Sequence, residues 1–290
     1  MDRVYSRLAG VELGNGFKAR VMGVINVSPE SFYKGSVRIG PEDVSKTAMK
    51  MEEEGADFID IGASSTAPYR EGGVSIEEEK DRIRWAIKAV ADSVSIPISV
   101  DTIRSEVADL ALRLGAEIVN DVSGLKADER MGRVVRERGA GLILSAHERF
   151  VGVGDPVSRV LNALRESLKL AESSGIELEL VVVDPAIGFF RNEGRGVFSV
   201  QRDMPWYLWD LKVLKGLRRL RELGRAICVS TSRKSFIGAV MGLERPEDRL
   251  FPSLATEIYA VMNGASLIRT HDVAPTVQSI RMVEAIAEGL

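Results

Sequence analysis

Two short stretches near the C-terminal end carry the densest chemistry in this chain. Val229-Ser230-Thr231-Ser232-Arg233-Lys234-Ser235 closes the apolar run 226–229, and Arg269-Thr270-His271-Asp272 closes the run 266–268. Each precedes a segment with helical spacing. Three cations and several hydroxyls therefore gather where two strands end, which is a place to hold an anion such as phosphate or pyrophosphate. One such cluster alone would read as a solvated charged cap. Two of them at equivalent points of successive strand–helix units point to a ligand.

The elements that position these clusters follow from the hydrophobic pattern. Apolar runs of strand length recur at 20–27, 58–63, 97–100, 117–122, 141–146, 178–183, 226–230 and 266–269. Segments with helical spacing follow them, at 41–54, 75–93, up to Gly115, 128–138, 156–173, 206–223, 235–241 with 252–263, and 275–288. The runs are rich in Val, Ile and Leu and nearly continuous rather than alternating, as expected of parallel strands covered on both faces. Eight strand–helix units without a linker predict a single α/β domain over 1–290, a closed (β/α)8 TIM barrel with its active site at the C-terminal ends of the strands. A doubly wound open sheet would call for a glycine-rich phosphate loop after the first strand, and Val24-Ile25-Asn26-Val27 has none.

Composition narrows the function classes. The chain has 290 residues, 45% hydrophobic and 28% charged, with a net charge of -3. That near-neutral balance argues against non-specific nucleic-acid binding. One cysteine, Cys228, excludes a disulfide within the chain and reads as a buried small apolar residue. Two histidines, His147 and His271, are too few for a multi-histidine zinc site. Residues 1–18 are polar and glycine-broken, unlike a signal peptide. No apolar run approaches the ~20 residues of a membrane span. The expectation is a soluble cytoplasmic protein with neither membrane nor nucleic acid as partner.

In a barrel of this kind the strand ends present Asn26, Asp60, Asp101 with Thr102, Asn120 with Asp121, His147, Asp184, Arg233 with Lys234, and Arg269 with His271. Carboxylates and carboxamides dominate strands one to six, and cations dominate seven and eight. One half of the mouth suits a group rich in N–H donors and the other suits an anion. Any one Asp or Asn at a strand end is usually a helix cap. Six at equivalent positions are harder to explain that way.

At this point a resemblance becomes specific. Val21-Met22-Gly23-Val24-Ile25-Asn26-Val27-Ser28-Pro29-Glu30-Ser31-Phe32 resembles the first signature of the dihydropteroate synthases, and Gly55-Ala56-Asp57-Phe58-Ile59-Asp60-Ile61-Gly62 with Ser65-Thr66 resembles their second. Ser99-Val100-Asp101-Thr102, Asn120-Asp121-Val122-Ser123-Gly124, Asp184-Pro185-Ala186-Ile187-Gly188-Phe189, Ser232-Arg233-Lys234-Ser235 and Arg269-Thr270-His271-Asp272-Val273 follow in the family's order. The resemblance implies an enzyme that joins 6-hydroxymethyl-7,8-dihydropterin diphosphate to p-aminobenzoate or a related arylamine and releases pyrophosphate, with Mg2+, in folate or methanopterin biosynthesis. It implies a homodimer as well. By the same resemblance Asn26 would coordinate the Mg2+. Asp101, Asn120, Asp184 and Lys234 would line the pterin pocket, and Phe189 would pack on the ring. Arg269 and His271 would clamp the pyrophosphate with Thr66 near it, and Ser232 and Arg233 would sit near the arylamine. His147 would play a supporting part.

The chemistry is coherent on its own terms. Breaking the C–O bond to pyrophosphate leaves a pterin-methyl cation, which buried carboxylates such as Asp101 and Asp184 would stabilise. Arg269, His271 and Mg2+ would neutralise the departing diphosphate. The aniline nitrogen needs little activation, so His271 reads as an anion clamp rather than a base. Departures from the family cluster in two loops. Lys34-Gly35-Ser36 stands where an acid precedes a glycine pair, and Ser65-Thr66-Ala67-Pro68 lacks an arginine that Arg70 could replace. Phe190-Arg191 replaces Gly-Lys. Lys34 would favour an amine that carries its own phosphate. Two other readings compete: a pterin-binding methyltransferase acting with a corrinoid protein, which would have no diphosphate to clamp, and a non-catalytic pterin-binding relative.

Overall fold

A computed structural model describes residues 4–28, 35, 40–64, 74–148, 154–189 and 204–288. The hydrophobic runs form the strands expected of them. An N-terminal hairpin, β1 (Tyr5–Leu8) and β2 (Val11–Gly14), precedes the eight parallel strands β3 (Arg20–Asn26), β4 (Phe58–Gly62), β5 (Ile98–Asp101), β6 (Ile118–Asp121), β7 (Gly141–Ser145), β8 (Val181–Asp184), β9 (Cys228–Val229) and β10 (Leu267–Thr270). The sheet order is β8-β7-β6-β5-β4-β3-β10-β9, and a parallel bridge from Val183 to Ile227 joins the two ends. The sheet is therefore a barrel. Its helices are α1 (Pro41–Glu53), α2 (Ile76–Ala91), α3 (Ser105–Arg113), α4 (Met131–Arg138), α5 (Pro156–Ser173), α6 (Trp206–Lys215), α7 (Ser235–Met241), α8 (Leu250–Met262) and α9 (Val273–Glu288).

Local chemistry starts the helices where the sequence marks them. Ser75 caps α2 by accepting from the Glu78 N–H, and Asp155 caps α5 by accepting from Ser158, with Pro156 just inside. The expected helix over 206–223 divides in two, because Gly216 ends α6 and the chain continues as a 3-10 helix over Leu217–Leu223. A side chain at Gly216 would collide with Val157 of α5, so the close helix contact comes with the break. No described helix is long and apolar enough to cross a membrane.

Strand alternation sorts the side chains into two populations. Val21, Ile25, Ile59, Ile61, Val100, Val119, Leu142, Leu144, Val183 and Ile268 join the core shared with the helices. Met22, Phe58, Ile118, Ile143, Val182, Cys228 and Leu267 form a separate cluster with Leu8 and Leu13 of the hairpin. That second cluster fills the lower lumen, and the hairpin plugs it from below. Residues 1–18 thus include a structural stopper that their polar, glycine-broken pattern does not announce. The two-residue turn at Ala9 and Gly10 has positive φ at both positions, the hairpin geometry that matches strand twist. Ser6 fastens the plug to the seam of the barrel: its hydroxyl donates to the Val181 carbonyl at 2.6 Å and accepts from the Ala226 N–H at 3.0 Å.

Candidate active site

The alternation that turns Met22 and Phe58 inward also turns Asp60, Asp101, Asn120, Asp184 and Arg269 inward, one layer higher. Strand register places Gly62 beside Asp101 and Asp101 beside Asn120. Barrel closure sets β10 against β3, so Arg269 arrives from the end of the chain among residues from its first third. Its Nε donates to Asp60 Oδ2 at 2.6 Å, and its Nη2 donates to Asp101 Oδ2 at 2.9 Å. Asn120 Nδ2 also donates to Asp60 Oδ2, at 3.3 Å. Burial alone would lower the pKa of Arg269, but Asp60 and Asp101 outweigh it and raise it, so the guanidinium is permanently charged. Burial pushes Asp101 up to about 7, opposed by Arg269 and reinforced by Asp60. Asp60 Oδ1 and Asp101 Oδ1 are buried without a partner among the described residues, which leaves acceptor capacity for N–H donors.

The two-sided mouth expected from sequence is altered by this. Arg269 does not stand apart among cations; it is bolted to the acidic side. Lys234 takes the other flank. Its Nζ donates to the Ile187 carbonyl and lies 4.8 Å from the centroid of the Phe189 ring. Gly188 makes room for it, since a Cβ there would meet Lys234 Cδ at 2.7 Å. The loop that carries Gly188 is held by buried Asp210 of α6, which accepts from the Gly188 N–H at 3.0 Å. Burial brings Lys234 down to about 8, with Asp184 opposing and Arg269 adding to the fall. Burial raises Asp184 above the ordinary carboxylate range against the pull of Lys234, and one of its oxygens accepts from the Ala186 N–H at 2.6 Å. Burial pushes the Cys228 thiol up, with the Asp184 charge adding, so this cysteine stays a neutral side chain of the lumen cluster.

Arg233 belongs to the frame. Both arms of its guanidinium grip Asp272 at 2.7 Å, and Nη1 donates to the carbonyls of Pro246 and Glu247. It therefore ties the β9–α7 turn to the β10–α9 turn, where the sequence reading set it beside an arylamine. Ser232 accepts from the His271 backbone N–H at 3.2 Å and lies 3.1 Å from His271 Nδ1. Burial, then Arg269, Arg233 and Lys234, bring His271 down to about 3. At that value the imidazole is neutral near pH 7, a hydrogen-bonding group rather than a further positive charge. Asp121 is also structural, taking the N–H groups of Ser123 and Leu125 at 2.8 Å. His147 is buried at the end of β7, and its carbonyl accepts from Lys126 at 2.6 Å. Asn26 stands half-buried at the end of β3, its Oδ1 3.3 Å from where a Cβ on Gly62 would lie, beside Asp101. Thr66, Ala67, Arg70, Lys34, Phe190 and Arg191 lie outside the described residues.

Sequence reading noted Asp60 at a strand end but gave it no role, and missed Asp210 and Asp272 as supports. Strand parity was the available signal for Asp60, two residues before inward-facing Gly62. Asp210 carried none, because it is one acid in an otherwise ordinary helix.

Known proteins resemble this chain in sequence and in fold. The sequence model of the family described as pterin binding enzyme matches residues 22–271. A dihydropteroate synthase of Clostridium beijerinckii is 32% identical over 282 residues, covering 97% of this chain and 98% of that one. Among solved structures, Xanthomonas albilineans dihydropteroate synthase with 4-aminobenzoic acid superposes with a TM-score of 0.84 at 31% identity, covering 98% of both chains. The same enzyme in complex with 7,8-dihydropteroate gives a TM-score of 0.81 at 31% identity and the same coverage.

Proposed function

The chain belongs to the pterin-binding enzyme family of dihydropteroate synthases, and from that premise we propose how its own residues carry out the reaction. It is a transferase that joins 6-hydroxymethyl-7,8-dihydropterin diphosphate to p-aminobenzoate and releases pyrophosphate, a step of folate biosynthesis in the cytoplasm. The single observation that carries the reading is the buried Asp60–Arg269–Asp101 assembly beside Asp184 and Lys234 at the barrel mouth.

Asp101, Asn120 and Asp184 hold the pterin through its ring N–H and amino groups, using acceptor oxygens that the frame leaves open. Lys234 donates to a ring acceptor, and Phe189 packs on the ring. The C–O bond to the diphosphate breaks, its electron pair leaves with pyrophosphate, and positive charge spreads from the methylene carbon into the pterin. Buried carboxylates face that charge in a medium of low dielectric, where they act more strongly than in water. The arylamine nitrogen then attacks the methylene carbon, and the proton it sheds passes to the released pyrophosphate. Neutral His271 and Ser232 donate hydrogen bonds to the departing diphosphate; Arg269 supplies the fixed positive charge behind them. An arriving diphosphate would itself raise the pKa of His271 and add charge when it is needed.

Among the described residues no group of three or more His, Cys, Asp or Glu could cage a metal. A magnesium ion that keeps its waters and substrate phosphates needs only one or two protein oxygens, and Asn26 Oδ1 at the rim fits that role. When bound, the ion would supply charge to the leaving group.

Large apolar side chains are exposed on each of three consecutive helices: Val240 and Met241 of α7, Phe251 and Met262 of α8, and Met282 and Ile286 of α9. These exposed side chains support a homodimer. Phe251→Asp is expected to shift the sedimenting species toward monomer.

Pyrophosphate release on mixing the protein with the pterin diphosphate and p-aminobenzoate tests the activity, with a ribosylated aminobenzene phosphate as the second amine. Release with the second amine alone would move the enzyme to methanopterin synthesis. Release with neither would sink the reading.

A further inference from the structure

Behind β10, away from the lumen, runs a buried chain of polar groups that substrate binding does not explain. The Asp272 backbone N–H donates to Thr270 Oγ1 at 3.2 Å. Thr270 Oγ1 lies 3.2 Å from Thr276 Oγ1, and the Thr276 hydroxyl donates to Glu257 Oε2 at 2.7 Å. Thr270 and Thr276 are fully buried, and Glu257, midway along α8, is 1% exposed. A hydroxyl has one proton. Thr276 gives its proton to Glu257, so the bond between the two threonines runs from the Thr270 hydroxyl to Thr276 Oγ1. The order is then fixed as amide, hydroxyl, hydroxyl, carboxyl, and the last member must be an acceptor.

That chain ends on a turn the active site depends on. Thr270 follows Arg269 directly, His271 comes next, and Asp272 receives both arms of Arg233. We propose that Glu257 is a positioning residue of the reaction, the terminal acceptor that fixes the Thr270-His271-Asp272 turn and so aims Arg269 and His271 at the mouth. This rests on the reading of the mouth as the pterin-diphosphate site. A plain core role would favour an apolar side chain at this point of α8, because burying a carboxyl there is costly. Glu257 Oε1 has no partner among the described residues. Burial raises its pKa to about 8, with the Thr276 hydroxyl and Arg233 opposing and Asp272 adding. The charged groups that face it are thus Asp272 in the β10–α9 turn and Arg233 in the β9–α7 turn. A neutral acid still accepts through Oε2, which is all the chain requires.

Three variants test this in the full-length protein: Glu257→Leu and Thr276→Val, which interrupt the chain, and Glu257→Gln, which keeps the acceptor. The Asp272 and His271 amides should exchange with solvent at least about tenfold faster in the first two, and near the wild-type rate in Glu257→Gln. Turnover of pterin diphosphate and p-aminobenzoate should fall by about ten- to a hundredfold in kcat for the first two and be largely retained in Glu257→Gln. Should Glu257→Leu fail to fold, the near-isosteric Thr276→Val carries the same expectation. Wild-type amide exchange and kcat in the interrupted variants, accompanied only by a lower melting temperature, would overturn the proposal. The exchange measurement needs no turnover, so a wild-type protein that released no pyrophosphate would defeat the activity reading and leave this test standing.

Discussion

The lower and upper halves of the barrel lumen are built by the same strands, two residues apart in the same alternation, yet they are opposite in kind. Below, Leu8, Leu13, Met22, Phe58, Ile118, Ile143 and Val182 close into an apolar plug. Above, Asp60, Asp101, Asn120, Asp184 and Arg269 crowd charge into a largely buried space, where Asp60 Oδ1 and Asp101 Oδ1 have no partner among the described residues. A protein interior tolerates such oxygens only where something repays their desolvation, and a ligand with matching donors is the natural repayment. The contrast teaches that the strands' lower layers hold the molecule together, while the top layer gives up stability for chemistry.

The comparison can be broken most severely at Arg269. Arg269→Ala should lower kcat/KM by roughly a hundred- to a thousandfold, the scale of losing a preorganised electrostatic group. It should also destabilise the fold by about 3–5 kcal/mol, because Asp60 and Asp101 are left buried without their counter-charge. Steady-state pyrophosphate release and urea unfolding measure the two effects. Leu13→Ala at the plug should cost about 2–5 kcal/mol of stability and leave kcat unchanged below the unfolding transition. An equal loss of kcat in Leu13→Ala would erase the distinction between the layers.

A gentler probe is pH. Asp101, pushed up to about 7, must be ionised to face a pterin cation, so activity should climb as pH rises through 7. Lys234, brought down to about 8, must keep its proton to donate, so activity should fall as pH rises beyond 8. The kcat/KM profile of the free enzyme should therefore be a narrow bell, losing about tenfold per pH unit on each side. Lys234→Met should lack the alkaline limb. A profile flat from pH 6 to 9 would show that neither group titrates in catalysis. The smallest effect belongs to Ser6→Ala, expected to cost about 1 kcal/mol by freeing the plug from the seam between β8 and β9, with no change in kcat.

Much of this was written in local pattern. Continuous Val/Ile/Leu runs, most with Asp, Asn or a cation at or near their ends, gave the parallel strands and the residues at their upper ends. Two-residue alternation then accounts for why Asn120 faces the lumen and its neighbour Asp121 caps a loop. Other features were out of reach. The hairpin was hidden because four-residue strands of mixed character carry too weak a period. Arg233 looked free because Asp272, its partner, lies 39 residues away.

By itself, then, the sequence determined the eight strand–helix units, the parallel barrel and the identity of the groups at its mouth, because those depend on spacing within a few residues. Only the tertiary structure decided which groups act and which are spent on one another. Arg269 meets Asp60 across 209 residues and Asp101 across 168, a pairing that exists only because barrel closure sets β10 beside β3. The neutrality of His271 and the weak basicity of Lys234 were decided there as well. A side chain's charge depends on how much water and which charges surround it, and both are properties of the closed barrel, not of the local chain.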